Sequence, residues 1–290
     1  MSIFQTFRIG FRQVLQYRRM WLLLYLSTLG LALFVALPIK SYLEAKVGHS
    51  LIVEDMIKGF DYTVITDFLN NYGDGFSAIM QQSILVILLF LMLMIFLVGG
   101  ILKMYQEQPI RYDRNIFWSN SAAYFGRMSM MTVVFLVIHA LILVASLLIY
   151  SMVAKGFSPN RLEDDTVIFT TWKWLLPLYI LVSAFFFMWH DYAKIILVQN
   201  NDKWIFKSIG QSFRFIRTNF RKSYGLYLLN ILCLGLVFLI NYFVTDIQST
   251  HNSTTVLLGF FLAQIFIIIR LGLRLLNWSS ATVLYQDQSN

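Results

Sequence analysis

The stretch ILVILLFLMLMIFLV, Ile84 to Val98, decides the fold of this chain. It does not alternate as a membrane β-strand would, and it carries no charge. Extended to Ser83 and Leu102, it reaches the roughly 20 residues that a helix rising about 1.5 Å per residue needs to cross about 30 Å of hydrocarbon. Five other runs do the same: Trp21 to Ile39, Met128 to Ala154, Trp172 to His190, Tyr224 to Val244 and Thr255 to Leu276. The 290 residues are 58% hydrophobic and 13% charged, with a mean hydropathy of +0.65. Soluble domains carry about 25% charged residues, so this composition belongs in lipid. The sequence predicts an all-α polytopic membrane helix bundle: one membrane domain of six transmembrane helices, with residues 40–82 as a long outer loop.

The single cysteine, Cys233, falls inside the fifth run, so the chain can form no internal disulfide and no Cys-based metal site. No cofactor and no metal are expected. Arg8, Arg12, Arg18 and Arg19 ahead of the first run give a signal-peptide flavour. However, the twenty residues before that run are themselves patterned, and no small-x-small cleavage site follows, so an uncleaved span is expected.

Orientation follows from the basic residues. With the N-terminus inside, 17 of the 23 Lys and Arg fall on the inner side and 6 on the outer. The positive-inside rule then sets both termini in the cytosol. The net charge of +8 is accounted for by residues beside spans, where anionic headgroups are the nearer partner, and a nucleic-acid partner is not expected.

The segments before the first and fifth runs, SIFQTFRIGFRQVLQYRRMW and WIFKSIGQSFRFIRTNFRKS, align without gaps at an offset of 202. Ile3 pairs with Ile205, Phe4 with Phe206, Phe11 with Phe213, Arg12 with Arg214 and Arg19 with Arg221. Both are amphipathic at helical spacing. Phe4, Phe7, Phe11, Val14 and Leu15 mark one apolar stripe; Ile205, Ile209, Ile216 and Phe220 mark the other. An interfacial basic face opposes them, formed by Arg8, Arg12, Arg19, Lys207, Arg214 and Arg221. A weaker third copy, NIFWSNSAAYFGR from Asn115 to Arg127, precedes the third run. The chain thus reads as three units, each an amphipathic cytosolic elbow helix, an outgoing span, an outer loop and a returning span. Such units would be parallel repeats about an axis near the membrane normal.

Residues 40–82 carry Glu44, Glu54, Asp55, Asp61, Asp67 and Asp74. Short helices are expected at Leu43 to Met56 and Tyr62 to Leu69, then a turn at Asn70-Asn71-Tyr72-Gly73-Asp74-Gly75. This segment serves as a lid or as a cap over the span ends. The loop Gly156 to Thr171, with Glu163, Asp164 and Asp165, is expected to be solvated. Asn252-Ser253-Thr254 matches a glycosylation sequon that has meaning only in a secretory host.

Candidate site residues are few. Arg270 and Arg274 stand one turn apart on the sixth run. Snorkelling explains them, or an anion or lipid-headgroup site balanced by Asp191 at the end of the fourth run. His139, Gln264, Asn230 and Asn241 are polar residues inside runs, suited to interhelical hydrogen bonds. No HExxH, G-x-S-x-G or P-loop motif occurs, and His190 and Asp191, as sequence neighbours on a helix, point about 100° apart. Catalysis is not expected.

The stretch WHDYAKIILVQNNDKWIFKSIGQSFRFIRTNF, Trp189 to Phe220, resembles the middle cytosolic segment of bacterial six-span families: the YciC-like proteins and the membrane domain fused to some glycerophosphodiester phosphodiesterases. The pattern is Asp191, Ala193, the break Asn200-Asn201-Asp202, and an interfacial helix from Ser208 to Asn219. The resemblance implies a multi-pass inner-membrane protein of bacterial type. The phosphodiesterase catalytic domain is missing, so that activity is not implied. The expected role is a non-enzymatic accessory, scaffold or lipid-organising component whose partners are membrane lipids, anionic on the cytosolic side, or another membrane protein. The alternative is a transporter's membrane subunit, which would need a separate ATPase docking on Asp191 to Ser223.

Overall fold

The structure, a computed structural model, describes residues 1–47, 62–153, 165–247 and 253–289. These residues form eight helices, with no strand among them: α1 (Ile3–Gln16), α2 (Arg18–Val47), α3 (Tyr62–Glu107), α4 (Arg114–Val153), α5 (Asp165–Asn200), α6 (Ile205–Thr218), α7 (Phe220–Ile247) and α8 (Ser253–Ser289). All but α1 and α6 are long and apolar enough to cross a membrane, which makes six candidate spans. The quoted stretch shows how α3 is used. Ile84, Leu85, Ile87, Leu88 and Leu89 are all more than half exposed, whereas Leu97 and Val98 are buried. An apolar belt of that size is stable only against lipid. The chain is a multi-pass membrane protein.

Helix boundaries depart from the sequence reading in four places. Residues 62–82 are helical throughout and continuous with the second span, so α3 is 46 residues long, roughly 70 Å. The expected turn at Asn70 to Gly75 does not break it. The Tyr72 carbonyl there accepts the Tyr42 hydroxyl of α2 at 2.7 Å, and helix packing overrides local turn preference. Residues 165–171, expected in a solvated loop, begin α5. The third elbow, Asn115 to Arg127, runs into its span without interruption as α4. Arg19 and Arg221 lie past the breaks at Tyr17 and Asn219, in the first turns of the spans α2 and α7. Glu54, Asp55, Asp61, Glu163, Asp164 and Asn252 lie outside the described residues.

The two free elbows match closely. α1 and α6 begin and end at positions 202 apart, each of 14 residues, and their C-caps Tyr17 (φ −100°, ψ 39°) and Asn219 (φ −115°, ψ 30°) share one non-helical conformation. Ser2 starts α1 with a full capping box: its hydroxyl takes the Gln5 N–H and the Gln5 side chain takes the Ser2 N–H. Equivalent positions are buried: the small residues Thr6 and Ser208, Gly10 and Ser212, then the β-branched Val14 and Ile216. Equivalent phenylalanines are exposed: Phe4 at 75% and Phe206 at 60%, Phe11 at 47% and Phe213 at 45%. The apolar stripe read from the sequence is therefore divided, Val14 facing protein while Phe4, Phe11 and Leu15 face outward.

The described residues cluster into two compact units. One comprises Met1–Tyr17, Ile95–Leu234 and Leu273–Asn290, the other Arg18–Met94 and Gly235–Gly272. In the first, the ends of the returning helices α3, α5 and α8 each carry an elbow segment packed through small residues. On α3, a Cβ added to Gly100 would collide with the Phe117 carbonyl and the Ser121 side chain of α4. On α8, a Cβ on Gly10 of α1 would fall 2.8 Å from the Ser280 backbone nitrogen. On α5, the Trp189 indole N–H is shared by the Ile209 carbonyl (3.1 Å) and the Ser212 hydroxyl (3.0 Å) of α6. Small residues let helix backbones approach where lipid supplies no hydrophobic drive. In the second unit, α2 packs on α8 through Trp21 and Tyr25, and α7 meets α8 through the Phe238 and Phe266 rings, 5.1 Å apart.

Candidate functional site

The polar chemistry of the first unit gathers where α3, α5 and α8 end. Asp191 sits near the end of α5, its side chain 15% exposed. Its Oδ1 accepts the Trp278 indole N–H at 3.0 Å and the Lys194 ammonium at 3.3 Å, and its Oδ2 accepts the Asn277 amide at 2.9 Å. Lys194 is itself only 10% exposed, so this is a buried ion pair with two further donors. A buried carboxylate needs such partners, and here a lysine one helical turn away and two adjacent α8 residues supply them. Arg274, exposed at its own position, sets its guanidinium 5.0 Å over the ring of the same Trp278. The indole joins the two: its N–H meets the carboxylate in plane and its face meets the cation.

Asp191 and Arg274 are thus brought around one tryptophan. Arg270 belongs to the second unit, where it is exposed. His190 and Asp191 turn to different neighbours: the His190 ring stacks on Phe135 at 4.4 Å while Asp191 holds α8. The four polar residues inside the runs do not assemble. His139 sets Nδ1 at 2.7 Å from the Phe135 carbonyl, and Asn230 donates to the Leu226 carbonyl at 3.0 Å, both in the first unit. Gln264 accepts the Tyr25 hydroxyl at 3.1 Å, and Asn241 gives its carbonyl to Thr245 at 2.8 Å, both in the second.

A second cluster holds the connection from α5 to α6. Asn201 adopts φ 48°, a left-handed conformation that asparagine tolerates well, and ends α5. Its side-chain oxygen accepts the Tyr124 hydroxyl (3.2 Å) and the Arg127 guanidinium (3.1 Å). Arg127 also donates to the Asp202 carbonyl at 2.9 Å. The buried Asp202 carboxylate receives Lys207 at 2.7 Å and Ser208 at 3.1 Å. Lys207, read as part of an open basic face, is therefore an ion-pair partner, though still 60% exposed. Arg8, Arg12, Arg19, Arg214 and Arg221 are exposed.

One arrangement escaped the sequence reading. The three returning helices end in Tyr105-Gln106-Glu107-Gln108, Val198-Gln199-Asn200-Asn201 and Tyr285-Gln286-Asp287-Gln288. Gln286 donates its amide to the Gln106 carbonyl at 3.2 Å, and Gln106 donates to the Gln199 carbonyl at 3.4 Å. The glutamines thereby satisfy carbonyls that helix C-termini leave without intrahelical partners. Gln108 shares φ 48° with Asn201, so α3 and α5 leave their helices by the same step. The likeness of Tyr-Gln-Glu-Gln to Tyr-Gln-Asp-Gln was the available signal. Beside it, the Tyr17 hydroxyl donates to the Pro109 carbonyl at 2.7 Å, and burial raises its phenol above the ordinary value.

Fold and polar clusters together define an all-α polytopic membrane bundle whose returning helices are tied at one end by hydrogen bonds to the Asp191 carboxylate and by glutamine amides. No family model, curated protein or solved structure matches the chain.

Proposed function

We propose that this protein is a non-enzymatic component of a bacterial inner membrane, with both termini cytosolic, that organises anionic lipid and neighbouring membrane proteins. The observation that carries this reading is the matched pair of elbows. Each exposes two phenylalanines seven residues apart together with arginines, Phe4 and Phe11 with Arg8 and Arg12, Phe206 and Phe213 with Arg214 and Arg217. Exposed rings beside guanidinium groups suit a helix lying at the headgroup boundary of an anionic leaflet. The bias of 17 of 23 basic residues to one side, and the resemblance of Trp189 to Phe220 to YciC-like proteins, support the same reading. The Asp191 cluster serves it by holding α5 to α8, which keeps the bundle end rigid beneath the elbows.

The test is reconstitution into discs of mixed phosphatidylglycerol and phosphatidylcholine, followed by analysis of the lipid shell that stays with the protein. Wild type is expected to enrich phosphatidylglycerol, and a variant carrying R8Q, R12Q, R214Q and R217Q to lose most of that enrichment. Equal shells would sink the reading. A stoichiometric ATPase that copurifies and is lost on altering the exposed Lys203 and Trp204 would replace it with the transport-subunit reading.

A further inference from the structure

The start of α2 and the middle of α8 enclose a groove that none of the features above uses. It measures about 330 Å³ and is lined by Arg18, Arg19, Trp21, Leu22, Tyr25 and Ile268, all in the second unit. Both arginines are exposed, at the N-terminal end of the helix. The polar atoms of the two aromatic residues are turned aside. The Trp21 indole donates to the Ile268 carbonyl at 2.8 Å and the Tyr25 hydroxyl donates to Gln264 at 3.1 Å, leaving ring carbon as the groove wall. Gly272 sets how closely the indole lies on α8, since a Cβ there would fall 2.5 Å from the Trp21 ring. Tyr25 lies six residues beyond Arg19, about 9 Å further along the helix, so the groove runs from a charged rim into the hydrocarbon that α2 crosses.

We propose that this groove holds one anionic glycerophospholipid, with its phosphate on Arg18 and Arg19 and one acyl chain along Trp21, Leu22, Tyr25 and Ile268. Two guanidinium groups match a phosphate in charge and in hydrogen-bond geometry, and an apolar wall without open donors suits a chain. Ligand pockets run from roughly 300 to 1,000 Å³, and this groove, at the lower end, is too small to seat a helix about 10 Å across. The proposal rests on α2 and α8 crossing a membrane and is independent of how the elbows lie.

Native mass spectrometry of the full chain in mild detergent tests it, with phosphatidylglycerol and phosphatidylcholine of the same acyl chains as probes. Wild type should retain one phosphatidylglycerol in preference to phosphatidylcholine. At about 1 kcal/mol per arginine near a headgroup, R18Q/R19Q should weaken retention roughly 30-fold. I268W, or L22W at an already exposed position, should block the groove and abolish retention while the protein still elutes as a single sharp peak. R8Q/R12Q on the elbow should leave this lipid in place, which separates the site from bulk enrichment of anionic lipid. The proposal is overturned by equal retention of the two lipids, by retention in R18Q/R19Q or in both filled variants, or by displacement with sn-glycerol phosphate alone. A lipid-free dimer that I268W converts to monomer would likewise overturn it and assign the groove to a second copy.

Discussion

Gly10 and Gly210 show how far a single residue's role depends on what faces it. Both lie in elbow helices of the same length. A Cβ at Gly10 would meet the Ser280 backbone at 2.8 Å, whereas nothing lies within 4 Å of the same atom at Gly210. Gly10→Ala should therefore destabilise the protein by about 1–3 kcal/mol, because backbone must shift to admit the methyl group. Gly210→Ala should stabilise it by up to about 1 kcal/mol through helix propensity. Thermal unfolding in detergent reads both, and equal shifts would refute the α1–α8 seam as described. Residues of this kind were only partly legible in the sequence. The alignment of Phe4 with Phe206 and Arg12 with Arg214 was readable because equivalent positions carry the same side chains. That Lys207 serves Asp202, and that Asp191 is met by Lys194, Asn277 and Trp278, was not, since those partnerships depend on which helices become neighbours.

Elements were more legible than residues, because hydrophobic length alone separates span from loop. Six runs were readable and six span-length helices stand there. What misled was turn chemistry. Asn70 to Gly75 has the composition of a turn, yet it continues α3, where the helix and its contact with α2 outweigh a cost of about 1 kcal/mol per glycine. Conversely, the breaks at Tyr17 and Asn219 fall where no proline or glycine marks them. The junction of α5 with α8 can be tested directly. Asp191→Asn leaves the buried Lys194 ammonium without its counter-charge and should cost about 3 kcal/mol. Adding Lys194→Met to that variant should recover most of the loss, because the uncompensated charge is then gone. A double-mutant cycle by thermal unfolding measures the coupling, and strictly additive losses would show that the pair is not an energetic unit.

For the whole molecule, the positive-inside bias translates into a topology that can be mapped with Cys233→Ser as background, since this removes the lone cysteine. Arg111, Lys203, Lys46 and Lys173 are all exposed and suited to single cysteines. A membrane-impermeant maleimide added to intact cells should label K46C and K173C at once, and R111C and K203C only after permeabilisation. The reverse pattern would invert the orientation and move the elbows to the other leaflet. The succession of elbow and span helices was legible in outline from the repeated elbow sequences and the six apolar runs. The ties among the returning helices were not, because the glutamines that make them, Gln106, Gln199 and Gln286, lie in short polar ends outside the apolar runs that dominate such a sequence.

The seam between α1 and α8 also orders events in time. Gly10 and Ser279, hydrogen-bonded through the Gly10 carbonyl at 3.1 Å, are separated by 269 residues of chain. A ribosome therefore releases the first elbow long before its partner surface exists. Throughout synthesis Gly10 and Gln13, which meet Ser279 and Ser280 in the finished protein, have no α8 to pack against. The seam between α1 and α8 therefore closes only when the last of the described helices arrives.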